Sequence, residues 1–152
     1  MSKKKETIFA LSTPPGKSAL AIIRISGPNS FKSISKISSN MPKKPNQAKF
    51  NKILGVSGDV IDETITTYFK SPESFTGEDM VEISMHGGNA VLKRFINDYV
   101  KHNNVRMAKP GEFTRRAYEN NKLDLIQAEA VADIVDAETE AQRKQAIGNL
   151  SG

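Results

Sequence analysis

A strand pattern that leads through two glycines into a helical pattern is the feature that most restricts how this chain folds. The apolar residues of segment 80–85 take every second position and so share one strand face: Val81, Ile83 and Met85. The polar residues between and after them share the other face: Glu82, Ser84 and His86. Gly87-Gly88 follows, and apolar positions then recur every three to four residues over 89–102, as in an amphipathic helix.

The other segments add strands and helices to this unit. Strand patterns cover 7–11, 19–25, 50–56, 64–69 and 105–107, with a turn at Ser57-Gly58-Asp59. Pro28 predicts the first position of a short helix capped by Ser26 or Gly27, and Pro110-Gly111 begins another that reaches about Tyr118. We therefore expect an α+β fold, a mixed β-sheet with packed helices.

The carboxy-terminal part has a different pattern. From Asp124 onward it is helical, with neither proline nor glycine before Gly148, and Asp124 and Gln127 have the spacing of a capping box. Its apolar stripe is rich in small residues: Ile126, Ala130, Ile134, Ala137 and Ala141. A small domain cannot bury both faces of so long a helix. We predict a first domain at 1–120 and the start of a helical domain at 121–152.

Composition excludes several classes of protein. Hydrophobic residues make up 38% of the 152 residues and charged residues 26%, an ordinary globular balance. No apolar run is long enough to span a bilayer, and the basic amino terminus lacks the apolar core of a signal peptide. The chain has no cysteine and two histidines, which argues against disulfides and zinc. We predict a cytoplasmic protein without a membrane segment and without a metal site.

The net charge of +5 is distributed unevenly. Residues 1–50 carry ten basic residues and one acidic residue, whereas residues 51–152 carry twelve basic and sixteen acidic residues. A basic half can attract phosphate, including RNA. It lacks clustered arginines and interleaved aromatic residues, so a solvated surface with a basic tail is favoured.

Gly16-Lys17-Ser18 resembles the end of a phosphate-binding P-loop. That loop needs a glycine five positions before its second glycine and a helix after it. Leu11 stands at the first position, and a strand pattern follows Ser18. We predict that this chain does not hydrolyse nucleotides.

Three other groups are candidates for binding. Glu82, Ser84 and His86 share a face beside a Gly-Gly turn and a helix start, which favours an anion, although a solvated strand face is the commoner meaning of such a pattern. Arg24 lies in phase with Leu20 and Ile22, which indicates either an anion site or an ion pair, with Glu82 one possible partner.

The third group is cationic. Arg115-Arg116 on a short helix can meet phosphate, and Lys122 lies in a break where it can point into a cleft. Surface charge is the commoner role for all three residues.

Four ordered blocks give the chain a specific resemblance to the MnmE/TrmE family of tRNA-modification GTPases. They lie at 13–16 with 24–27, at 74–79 with 86–88, at 110–114, and at 122–125 with 127–130. The resemblance covers about Thr7 to Gly152 and is loose over 28–70. It implies an amino-terminal domain with a tetrahydrofolate-binding, aminomethyltransferase-like fold that forms a homodimer.

The resemblance also implies a function. The family binds 5-formyl- or methylene-tetrahydrofolate and, with an FAD-dependent partner protein, modifies carbon 5 of the wobble uridine in tRNA. GTP hydrolysis with potassium and magnesium belongs to a GTPase domain that we expect to be absent from this chain. The family also places a carboxy-terminal segment near the folate site, which we expect to lie outside these 152 residues.

Folate contacts of the family correspond to Arg24, Glu82 and Lys122, and no catalytic residue is expected in this chain. A carboxylate such as Glu82 can accept both adjacent N–H groups of a pterin edge. Arg24 and Lys122 can meet pterin carbonyl groups or the carboxylates of the folate tail. The alternatives are a stand-alone folate-dependent aminomethyl- or methyltransferase and a non-catalytic RNA-binding module.

Overall fold

The computed structural model describes residues 6–12 and 21–131, and within these ranges the fold is α+β, as predicted. Six strands form one mixed sheet in the order β3-β4-β5-β2-β1-β6. Their bounds are β1 (Thr7–Leu11), β2 (Ala21–Ser26), β3 (Ala48–Leu54), β4 (Val60–Phe69), β5 (Met80–Met85) and β6 (Val105–Met107). Neighbouring strands are antiparallel, except that β6 runs parallel to β1.

Two helices cover one face of the sheet and enclose the core. They are α1 (Ser30–Ser35) and α2 (Gly88–His102). Apolar residues of the central strands meet Phe95 and Tyr99, which lie one helical turn apart on α2 and stack with their ring centroids 5.4 Å apart. The Tyr99 hydroxyl bonds the Ser33 hydroxyl of α1 at 2.7 Å, and burial raises the pKa of Tyr99. The core therefore joins both helices to the sheet.

The third helix, α3 (Glu112–Glu119), is tied to the 71–79 loop, which connects β4 to β5. Arg116 is 5% exposed and donates to Glu78 at 2.9 Å and to Glu112 at 3.3 Å. Glu78 also accepts from Ser26 of β2 at 2.8 Å. A buried arginine is tolerated because both carboxylates neutralise it. We call Arg116, Glu78, Glu112 and Ser26 the α3 cluster.

The predicted elements are largely confirmed, with shifts at their ends. β1, β5 and β6 have the predicted bounds, and the turn around Gly58 is present. The prediction that Pro28 opens the first helix is wrong, because Pro28 lies in a turn and α1 begins at Ser30 after Asn29. Gly27 has a φ of +133° and its carbonyl accepts from the Ser30 hydroxyl, so this glycine ends β2 rather than capping a helix.

The predicted capping box at Asp124 is confirmed. Asp124 Oδ1 accepts from the Gln127 backbone N–H at 2.7 Å, and Gln127 Oε1 accepts from the Asp124 N–H at 3.0 Å. A helix follows, and its described part covers 125–131. The rest of the predicted long helix lies outside the described residues, so the division into two domains stays a prediction. No helix in the described ranges is long and apolar enough to cross a membrane.

Glu112 predicts a specific acid sensitivity, because it also pairs with Arg106 of β6 at 2.6 Å. Hydrogen bonds from Arg106 hold the pKa of Glu112 at about 2, below its ordinary value of 4.5. Because the folded state lowers this pKa, the stabilisation is present above pH 4.5 and is lost as the pH falls towards 2. Glu112→Gln should lower the free energy of unfolding by about 3 kcal/mol at pH 7 and by progressively less below pH 4.5.

Urea unfolding at several pH values measures this effect. Glu73→Gln is the matched control, because Glu73 is an exposed carboxyl in the 71–79 loop outside the α3 cluster. If the wild type and the Glu112→Gln variant lost equal stability between pH 4.5 and 2, the lowered pKa of Glu112 would be contradicted as the cause of the acid sensitivity.

Candidate functional site

Arg24 and Glu82 form an ion pair on the face of the sheet opposite α1 and α2. They lie directly across from each other on β2 and β5, although 58 residues separate them in sequence. Arg24 Nε donates to Glu82 Oε1 at 2.8 Å. Of the two meanings that the sequence left open for Arg24, the structure confirms the ion pair with Glu82.

Both side chains of the pair remain accessible to a ligand. Arg24 is 39% exposed and Glu82 is 29% exposed. Such a pair contributes roughly 0–1 kcal/mol to stability. Among the hydrogen bonds between described side chains, Arg24 donates only from Nε and Glu82 accepts only at Oε1. The remaining guanidinium N–H groups and the second carboxylate oxygen can therefore serve a bound molecule.

Among the described residues, no hydrogen bond or ion pair joins Lys122 to Arg24. Lys122 is exposed in the short turn between α3 and the helix at 125–131, and its backbone N–H donates to the Ala117 carbonyl at 2.8 Å. No ion pair between described residues joins it to Glu82. Lys122 as a site residue stays a prediction.

A cleft of about 540 Å³ opens beside Arg24. This volume lies within the usual range of small-molecule pockets. Its walls come from β1 and Ser12, Ile96 of α2, the segment 107–114, Phe75 of the 71–79 loop and Val131. Apolar groups dominate the lining, and its cations are Arg24 and Lys109. The cleft is suited to a small, largely apolar molecule that carries some polar groups.

Phe75 is a site residue that the sequence analysis did not single out. Its ring centroid lies 5.8 Å from Arg24 Cζ, within cation–π range, and Phe75 is 37% exposed. The loop that carries it was predicted, but the direction of the side chain depends on the contact between that loop and α3. The only sequence signal is an aromatic residue within a Ser-Phe-Thr-Gly loop.

The turn at Gly87-Gly88 already has an anionic partner from within the chain. Asp62 Oδ2 of β4 accepts from the backbone N–H groups of His86 at 2.7 Å and Gly87 at 3.1 Å. A carboxylate of the chain itself therefore occupies the turn that leads into α2, where the pattern favoured a ligand anion. His86 is exposed at this turn, consistent with a turn residue.

The two neighbouring arginines of α3 have different roles. Arg115 is exposed and pairs with Glu119 at 2.9 Å, as a surface charge does. Arg116 is buried in the α3 cluster, so both predicted roles, phosphate contact and surface charge, are wrong for this residue. The described ranges also contain no group of His, Cys, Asp and Glu that could hold a metal ion.

Comparison with known proteins places this chain in one family. The family described as "GTP-binding protein TrmE N-terminus" matches residues 7–122. A protein named tRNA modification GTPase MnmE from Dinoroseobacter shibae is 46% identical over 147 residues, which cover 97% of this chain and 34% of the relative. The protein of the same name from Wolbachia sp. subsp. Brugia malayi is 47% identical over 152 residues, covering all of this chain and 34% of the relative.

The MnmE protein of Thermotoga maritima is 44% identical over 147 residues, again 97% of this chain and 32% of the relative. The chain thus spans about a third of the length of the curated relatives it matches. Because the family match includes the sheet, the 71–79 loop and α3, this chain belongs to the TrmE amino-terminal family.

Proposed function

We propose that this chain binds a reduced folate at the Arg24–Glu82 pair and serves as the folate-binding, dimerising module of a tRNA-modifying GTPase. The observation that carries the proposal is the half-exposed ion pair beside an apolar cleft. Membership of the TrmE amino-terminal family supports it.

The available groups match the chemistry of a pterin. One pterin edge carries two adjacent N–H donors, and a carboxylate accepts such a pair in two parallel hydrogen bonds. A carboxylate has about four lone-pair positions, so Glu82 can keep Arg24 and still accept both donors. The guanidinium N–H groups not used by Glu82 can donate to a pterin carbonyl. Lys122 is proposed to meet a carbonyl or a tail carboxylate.

The proposal extends to the longer protein. Relatives of this chain carry the name tRNA modification GTPase, and the chain spans about a third of their length. We propose that GTP hydrolysis, with potassium and magnesium, resides in the part of such a protein that this chain does not match. The folate then supplies a one-carbon unit to carbon 5 of the wobble uridine of tRNA, together with an FAD-dependent partner in the cytoplasm.

One observation weighs against a stand-alone aminomethyl- or methyltransferase. That enzyme needs a catalytic acid near the reactive atoms of the folate. In the described ranges, the nearby carboxylates already have cationic partners: Glu82 with Arg24, Glu78 with Arg116, and Glu112 with Arg106. The arrangement therefore favours binding over catalysis in this chain.

The folate proposal predicts a selective effect of Glu82→Ala. Removing a charged acceptor from ligand N–H donors should cost about 1.5–3 kcal/mol, or roughly tenfold or more in affinity. Calorimetric titration with 5-formyltetrahydrofolate measures the dissociation constant. Glu63→Ala is the matched control, because Glu63 is an exposed carboxylate on the neighbouring strand β4. Absence of binding to the folded wild type, or equal binding by both variants, would overturn the proposal.

The dimer proposal predicts the mass in solution. We expect light scattering at micromolar concentration to give twice the 16.7 kDa of one chain. A monomer over the whole accessible concentration range would contradict it.

The RNA-binding alternative predicts a different salt response. If the basic first fifty residues bound tRNA specifically, affinity would fall steeply with salt, with a log–log slope near one unit per phosphate neutralised. We expect weak, non-saturating binding of tRNA beside saturable binding of folate. Tight tRNA binding without folate binding would favour the alternative.

A further inference from the structure

We propose that Phe75 is a ligand-contacting residue of the Arg24–Glu82 site, where it stacks on the planar ring of the ligand, and that Glu78 and Arg116 are its positioning residues. This inference rests on the proposed folate function and deepens it. Phe75 then forms an aromatic wall of the site, and contacts within the 71–79 loop and with α3 hold this wall in place.

Phe75 lies beside the ion pair and lines the cleft. Its ring lies against Arg24, and both residues line the apolar cleft. Phe75 therefore forms part of both the ion-pair site and the cleft. A ligand that meets Arg24 and enters the cleft is therefore within reach of this ring.

Phe75 is partly exposed, although the residue that follows it is buried. Phe75 is 37% exposed and, unlike the more exposed Phe50, it lines the cleft. The next residue, Thr76, is 0% exposed. The loop thus buries a small polar side chain and presents a large apolar one to the cleft.

Buried and partly buried hydrogen bonds hold the backbone on the carboxyl side of Phe75. Ser26 donates its only hydroxyl hydrogen to Glu78, so Thr76 is the donor in the 2.7 Å bond between Thr76 and Ser26. Asn120 Nδ2 of the α3 end donates to the Thr76 carbonyl at 2.7 Å. Arg116 secures Glu78 from the same helix.

The loop also closes on itself around Phe75. The Ser74 hydroxyl donates to the Glu78 carbonyl, and the Gly77 N–H donates to the Ser74 carbonyl at 3.2 Å. Gly77 has a φ of +80°, and a Cβ there would lie 2.8 Å from Asn120 Cβ. The loop is therefore seated tightly on α3 before any ligand arrives, and such preorganisation favours affinity.

The chemistry of the wall identifies the class of ligand. Glu82 accepts N–H groups at the edge of a ring, whereas Phe75 offers the face of an aromatic ring. Both contacts together suit a planar heterocycle with adjacent N–H donors, as in a pterin. Stacking of two aromatic rings stabilises a complex by more than the area that it buries. At roughly 1.4 kcal/mol, this stabilisation corresponds to about tenfold in affinity.

Intrinsic fluorescence provides a direct test, because the chain has no tryptophan. Phe75→Trp introduces a single indole at the site. Phe50→Trp is the matched control, since Phe50 is 79% exposed on the edge strand β3 and lies outside the cleft. During titration with 5-formyltetrahydrofolate, we expect saturable quenching of the Phe75→Trp variant alone. Equal responses from both variants would overturn the proposal.

Affinity is the second readout. Phe75→Ala should weaken binding about tenfold in calorimetric titration, whereas Phe50→Ala should leave it unchanged. Thermal unfolding with circular dichroism shows whether each variant is folded. A folded Phe75→Ala variant with wild-type affinity would contradict the inference.

The positioning role needs a readout that a loss of stability alone does not change. In the Phe75→Trp background, Glu78→Gln should increase iodide quenching of the introduced indole under conditions where the protein remains folded. Unchanged quenching with lower stability would assign Glu78 and Arg116 a structural role only.

The outcomes separate this inference from the proposed function. If the wild type does not bind the folate, the proposed function and this inference both fail. If the wild type binds, Glu82→Ala loses binding and the folded Phe75 variants bind as the wild type does, the inference fails alone.

Discussion

The register between β2 and β5 is the constraint on which the candidate site depends. It places Arg24 opposite Glu82 and Ser26 opposite Met80, in the centre of the six-stranded sheet. Because side chains alternate along a strand, a slip of one residue would move Arg24 to the apolar face. The buried Ile23 and Ile25 on that face make such a slip costly. The apolar core thus holds the ion pair in place from the other side of the sheet.

The exposure of the side chains on one face of β2 changes along the strand, from a buried residue that stabilises the fold to a partly exposed residue that can meet a ligand. Ser26 is fully buried under the 71–79 loop, where it binds Thr76 and Glu78. Arg24 lies two residues earlier on the same face, where the cover by α3 and the loop gives way to the cleft. One strand face therefore anchors the loop at one end and presents a charged pair at the other. Phe75 marks the boundary between these two regions.

The sequence predicted what depends on local pattern. Alternation located β5 and the face of Glu82, and the spacing of Asp124 and Gln127 located a capping box. What it missed depends on tertiary contacts. Asp62 of β4 accepts from the backbone N–H of His86, 24 residues later, and Arg116 is buried because Glu78 reaches it from 38 residues away. No local pattern encodes these distances, and the direction of Phe75 follows from them.

Two arginine–glutamate pairs in this chain show why exposure decides their roles. Arg116 binds Glu78 and Glu112 away from water, where loss of one partner would leave a buried charge and cost several kcal/mol, about 3–5 in comparable cases. Arg24 and Glu82 meet at nearly the same distance but remain half-buried, so their bond adds little to stability. A pair that contributes little to the fold can exchange some of its hydration for a ligand at small cost. The same chemistry therefore stabilises the 71–79 loop in one place and leaves a charged pair accessible to a ligand in the other.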